Sequence, residues 1–138
     1  MLFQQGNFTL ASGAMSRWKI ECDALTPGDW MALAAMAAEI LPPFVFAYGV
    51  PRGGLPFANA LNQYAKAGNH PVLIADDVWT TGGSVRRFAA STACPNPKVF
   101  GPPICVVAFA RGPYPAWVTP LFRMPAAVPA VEPVDTAG

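Results

Sequence analysis

Residues 72–84 read Val72-Leu73-Ile74-Ala75-Asp76-Asp77-Val78-Trp79-Thr80-Thr81-Gly82-Gly83-Ser84. An apolar run ends in two adjacent acids, and a stretch of hydroxyl residues and glycines follows. Neighbouring carboxylates accept hydrogen bonds from a pair of vicinal hydroxyls, which makes Asp76 and Asp77 candidates for gripping a sugar diol. Thr80, Thr81 and Ser84 supply hydroxyls, while Gly82 and Gly83 leave amides open where a helix begins, a combination suited to a phosphate. Diol and phosphate together point to a ribose 5-phosphate. A second loop, Gly49-Val50-Pro51-Arg52-Gly53-Gly54, sets a cation among glycines that allow close approach of the backbone. No Gly-Lys-Ser/Thr loop and no Gly-x-Gly-x-x-Gly turn after a strand is present, so the other common phosphate motifs drop out.

The elements that must position these loops follow from periodicity. Alternating Phe8, Leu10, Trp18, Ile20 and Cys22 around Ser12-Gly13 predict a hairpin over 7–23. Thr26 as cap, Pro27 at the first turn and Asp29 predict a helix with Trp30, Leu33, Ala37, Ile40 and Leu41 on one face, stopped by Pro42-Pro43. Residues 44–48 are apolar on both faces and read as a strand buried inside a parallel sheet. A helix from Leu55 to about Ala67, a strand at 72–75, a helix from Val85 to about Ala93 and a strand at 104–110 follow, with room for a short strand at 117–122. Strand and helix alternate, as in an α/β fold in which ligands sit beyond the carboxyl ends of parallel strands. The two loops should therefore be neighbours.

Composition narrows the function further. With 138 residues, 53 % apolar and 12 % charged, the chain is expected to form a single domain over 1–124, followed by a loose tail at 125–138. A net charge of +1 supplies no field for nucleic acid, and the 16 prolines interrupt every run that could cross a membrane. Cys22, Cys94 and Cys105 form no Cys-x-x-Cys pair, and the opening lacks a signal-peptide pattern, so a cytoplasmic setting is expected.

Residues 72–84 closely resemble the signature of type I phosphoribosyltransferases, in which a hydrophobic strand runs into two acids and a Thr-Thr-Gly-Gly-Ser-like loop. The resemblance implies a three-layer α/β/α fold with a mostly parallel sheet and a hood hairpin. It implies that Thr80, Thr81, Gly82, Gly83 and Ser84 hold the 5-phosphate of phosphoribosyl pyrophosphate, and that Asp76 and Asp77 face the ribose hydroxyls as the catalytic acids. Pro51, Arg52, Gly53 and Gly54 look like the family's pyrophosphate loop, with the Pro51–Arg52 peptide expected to be cis. Magnesium is implied as cofactor, touched by Asp76 and Asp77 through ribose hydroxyls or water.

The stretch from Phe8 to Lys19 is similar to the opening of the orotate phosphoribosyltransferases, and Arg111 falls where that subfamily places a base-recognising arginine. Trp18, Lys19 and Arg111 are thus the candidate base contacts. Trp18 equally suits hairpin packing, Lys19 solvent, and Arg111 pairing with an acid. The expected activity joins a free base, with orotate the first candidate, to phosphoribosyl pyrophosphate, giving a nucleoside 5′-monophosphate. Two departures stand out. Met15 replaces a lysine, and only Asn69-His70-Pro71 lie where the family carries a strand, a mobile loop with lysine and histidine, and a returning strand. The short connection favours the alternative, a sensor that binds the same ligand without turnover. Loss of those strands would also bare the 44–48 edge, which predicts cover from the hairpin or from a second copy in a homodimer.

Overall fold

The computed structural model describes the backbone of residues 2–9 and 15–125, and the side chains of all of these except 6–9 and 15–19. The expected turn at Ser12-Gly13 and nearly all of the 125–138 tail lie outside the described residues.

Strands β1 (Phe3–Thr9) and β2 (Met15–Ile20) pair antiparallel, so the hairpin forms, although its first strand begins earlier than the alternation at Phe8 suggested. Helix α1 (Pro27–Ile40) opens with a complete capping box: Asp29 N–H donates to Thr26 Oγ1 at 3.1 Å, and Thr26 N–H to Asp29 Oδ2 at 2.9 Å. Its buried face is Trp30, Leu33, Ala34 and Ala37, whereas Ile40, expected on that face, is 58 % exposed in the last turn.

The main sheet is parallel throughout, in the order β3 (Ala47–Gly49), β4 (Leu73–Trp79), β5 (Ile104–Ala110), β6 (Val118–Arg123). Helix α1 and helix α2 (Leu55–Leu61) cover one face, packing Trp30, Leu33, Phe57 and Leu61 on Leu73, Ala75 and Val106. Helix α3 (Gly83–Ala90) covers the other, with Val85 and Phe88 against Ile74, Cys105 and Val107. A three-layer α/β/α fold results. A short helix, α4 (Pro97–Phe100), capped by Asn96, escaped the periodicity because four residues carry no period.

Two strand readings are corrected. The strand expected at 44–48 and buried on both faces is the three-residue β3, at the sheet edge as the short 65–72 connection predicts, and Phe46 is 47 % exposed. On its free side, among the described residues, the bonds are made within the chain: Ala47 N–H donates to Asn62 Oδ1 at 2.7 Å, and Asn62 Nδ2 donates to the Ala47 carbonyl at 2.9 Å. One amide side chain thus makes both bonds of an absent neighbouring strand. Helix α2 accordingly stops at Leu61, and a 3-10 turn over Asn62–Tyr64 aims Asn62 at the edge. Residues 65–72 then lead straight into β4, with no strand and no long loop between.

The second correction concerns the acids. They lie within β4, where the sequence put them in the loop beyond it, because β5 continues alongside and pairs Asp76 with Val107 and Val78 with Phe109.

Candidate functional site

Along β4 the side chains alternate until Ala75, which faces the α1/α2 layer; Val78 then faces that same layer and Trp79 the α3 layer. Strict alternation would put Ala75 and Val78 on opposite faces. At the slip, Asp77 N–H donates to Asp76 Oδ1 and Val78 N–H to Asp77 Oδ1, each at 2.8 Å. Each carboxylate binds the backbone amide that follows it, and this local bonding competes with the regular ladder.

Asp76 is only 5 % exposed. Burial comes first and the neighbouring Asp77 second in pushing its carboxyl up to about 8, far above the usual carboxylate range. Asp76 is therefore held protonated near neutral pH, because its buried carboxyl cannot ionise cheaply beside a second acid.

Gly53 reaches the same place from the other loop. A Cβ built on it would overlap the Asp77 carboxylate, so only glycine lets this turn approach the acids. The Pro51–Arg52 peptide is cis, as the resemblance implied.

The residues enclose two adjoining hollows. The larger, of about 280 Å³, is lined by Pro51, Gly53, Asp76, Asp77, Thr80, Ser84 and Arg111, together with Ile20, Val50 and Val78. A smaller one, of about 70 Å³, shares Asp76, Val78, Thr80 and Ser84 and adds, among others, Thr81, Gly82, Gly83 and Arg87. The acid pair, the 80–84 loop, Pro51, Gly53 and Arg111 thus meet, as expected of neighbouring loops at strand ends. Gly54 is packed beneath, where a Cβ would overlap the Ala75 carbonyl, and exposed Arg52 stands outside the lining. Trp18 and Lys19 lie on β2, paired with Gln5 and Gln4, and their side chains are outside the described residues.

Arg111 is 4 % exposed, and its Nε donates to the Pro125 carbonyl at 3.4 Å. Burial lowers its pKa.

Ile20 and Arg87 were missed. Among the described residues Ile20 is a hairpin side chain that reaches the hollow, and its alternation with Trp18 was the signal for it. Arg87 follows Ser84 by one helical turn and donates to Ser84 Oγ at 3.4 Å, a spacing readable in advance.

Solved structures agree with this architecture. An orotate phosphoribosyltransferase from Aeropyrum pernix superposes with a TM-score of 0.62 at 18 % identity over 88 % of each chain. The fold is that of the orotate phosphoribosyltransferases. A second, from Francisella tularensis, matches with a TM-score of 0.53 at 19 % identity, over 80 % of this chain and 66 % of that one. No protein-family model and no curated protein sequence matches the chain. Type I phosphoribosyltransferase architecture is therefore present at a sequence distance where fold alone is shared. Among the described residues, no helix is long and apolar enough to cross a membrane.

Proposed function

We propose that this chain is a phosphoribosyltransferase that joins a free base, orotate first among the candidates, to phosphoribosyl pyrophosphate. The observation that carries the reading is convergence. The acid pair, Pro51 and Gly53 of the glycine loop, the hydroxyl-rich 80–84 loop and Arg111 border two hollows that share Asp76, Val78, Thr80 and Ser84.

In this reading Thr80, Thr81, Gly82, Gly83 and Ser84 bind the 5-phosphate, and Asp76 and Asp77 accept hydrogen bonds from the ribose hydroxyls. Pro51 and Gly53 face the diphosphate, with Arg52 beside them at the loop surface and Gly54 packed beneath the turn, and Trp18, Lys19 and Arg111 are the proposed base contacts. The bond from ribose C1 to the diphosphate oxygen breaks, and a bond from C1 to a base nitrogen forms as that nitrogen gives its proton to water. Positive charge develops at the ribose between these events. Anionic carboxylates beside it are worth more in that state than in the ground state, so ionised Asp76 and Asp77 lower the barrier.

Two carboxylates with no third ligand suit magnesium, which keeps waters and takes its remaining oxygens from substrate. Among the described residues no group of three or more His, Cys, Asp or Glu side chains forms a protein cage for a metal. Asp76 and Asp77 would hold it through hydroxyls or water, and it would neutralise charge on the departing diphosphate.

The direct 65–72 connection favours a second reading, a sensor that binds phosphoribosyl pyrophosphate without transfer, because nothing in that segment can close over the ligand and exclude water. Calorimetry with the magnesium complex of phosphoribosyl pyrophosphate, followed by a pyrophosphate-release assay across free bases, separates the two. Binding with release supports the transferase, binding alone selects the sensor, and no binding overturns both.

A further inference from the structure

Trp79 ends β4 directly before the hydroxyl-rich loop and is fully buried. Its indole N–H donates to the Pro113 carbonyl at 3.0 Å, and Trp117 meets it edge-on with ring centroids 6.1 Å apart. The ring is therefore pinned at its rim by the segment that follows β5. The Arg86 guanidinium stacks over this ring, 5.2 Å from its centroid, and Arg86 Nη1 donates to the Thr81 carbonyl at 2.8 Å. Gly82 fits into the remaining space at φ +85°, where a Cβ would overlap both the Trp79 ring and the Arg86 guanidinium. Only glycine meets both the left-handed backbone and the lack of room.

Arg86 lines neither hollow, whereas Thr81 and Gly82 line the smaller one. The guanidinium stands behind the loop and does not face a ligand. Because the 81–82 peptide is trans, holding the Thr81 carbonyl against Arg86 turns the Gly82 N–H the opposite way.

We propose that Arg86, seated on Trp79, is a positioning residue that fixes the 81–82 peptide so that the 80–84 loop is ordered before a 5-phosphate arrives. The inference rests on reading that loop as a phosphate cradle. Two consecutive glycines give it more conformations to lose on binding than most loops have, and a brace that removes them in the free protein lowers the entropic cost of binding. Charge alone does not make the brace. A lysine keeps the cation but lacks the planar group that stacks on indole while donating along a fixed direction.

The test uses the full chain with ribose 5-phosphate as probe and magnesium pyrophosphate as control, comparing the parent with Arg86→Ala and Arg86→Lys by calorimetry. Amide hydrogen exchange at 81–84 is measured on the same proteins without ligand. Arg86→Ala is expected to exchange faster at 81–84 and to bind ribose 5-phosphate about tenfold more weakly, as for loss of a charge-assisted hydrogen bond, with pyrophosphate affinity unchanged. Arg86→Lys is expected to recover only part of that affinity. Unchanged exchange overturns the inference whether or not binding falls, since Arg86 would then act on the ligand directly or not at all. So does faster exchange with undiminished affinity, and so does full recovery in Arg86→Lys. If the parent itself binds no ribose 5-phosphate, the cradle reading fails and the inference falls with it. That result is distinct from a parent that binds and a variant that binds equally well.

Discussion

Asp76 faces opposing demands. In the proposed transfer the ribose hydroxyls and the developing cation would need it ionised, while burial and Asp77 hold it protonated up to about 8. Between the ordinary carboxylate range and that value, the folded chain keeps a proton that the unfolded chain has lost. The stability this group contributes is therefore full at acid pH and is lost as pH rises toward 8. Asp76→Asn should accordingly stabilise the ligand-free, metal-free protein by about 1–3 kcal/mol at pH 8–9, the scale of a buried polar group relieved of charge, with the gain vanishing near pH 4. Thermal melts across that range check it, and a gain that grows toward acid pH would contradict it. The same proton must leave when the ligand binds. Affinity for phosphoribosyl pyrophosphate with magnesium should thus rise with pH, by up to about tenfold per unit, and level off above 8; calorimetry in a pH series reads this slope. The acids were legible in the sequence because adjacent carboxylates before a Thr-Thr-Gly-Gly-Ser run have few structural uses. The Arg86 contact was not, since an arginine one turn into a helix is as common on a solvated face, and only the buried Trp79 ring beneath it makes it particular.

At the scale of elements, β4 and β5 carry the site, and the hairpin adds Ile20 to its wall. Strand β5 was readable residue for residue, since an apolar run rich in β-branched residues has one natural length. Strand β4 was read short, because Asp76 and Asp77 look like the end of a strand when they are instead paired along β5 and bonded to their own amides. Nor could periodicity show how the β3 edge is closed, because a single asparagine has no period. Its two bonds to Ala47 give a definite expectation: Asn62→Ala leaves an amide and a carbonyl unpaired at a half-buried edge and should cost about 1–3 kcal/mol. The opened edge should also promote self-association, as unpaired strand edges do. Thermal melting together with sedimentation velocity reads both effects. If Asn62→Ala melts like the parent and associates no more than it does, the side chain does not close the edge.

For the whole molecule, a four-stranded sheet with a direct 65–72 connection sets two phosphate-type loops side by side, with β3 at the edge among the described residues. The alternation of strand and helix made that architecture legible in advance, since a parallel sheet is what alternating elements build. Asn62 bonds the edge residue Ala47 from within the chain, so the homodimer expected from a bare β3 edge is left to solution measurement. The proposed function requires one ligand to span both loops, with its phosphate on one side of the acid pair and its diphosphate on the other. The direct test is calorimetry of phosphoribosyl pyrophosphate with magnesium on the parent, Asp77→Asn and Ser84→Ala. The parent should bind, and Asp77→Asn should bind more weakly by about 1–3 kcal/mol, the range for a lost charge-assisted hydrogen bond. Ser84→Ala should also lose affinity, for this ligand and for ribose 5-phosphate alike, because it removes a donor to the phosphate. If the parent binds no phosphoribosyl pyrophosphate, or both variants bind it as tightly as the parent, the loops do not form its cradle.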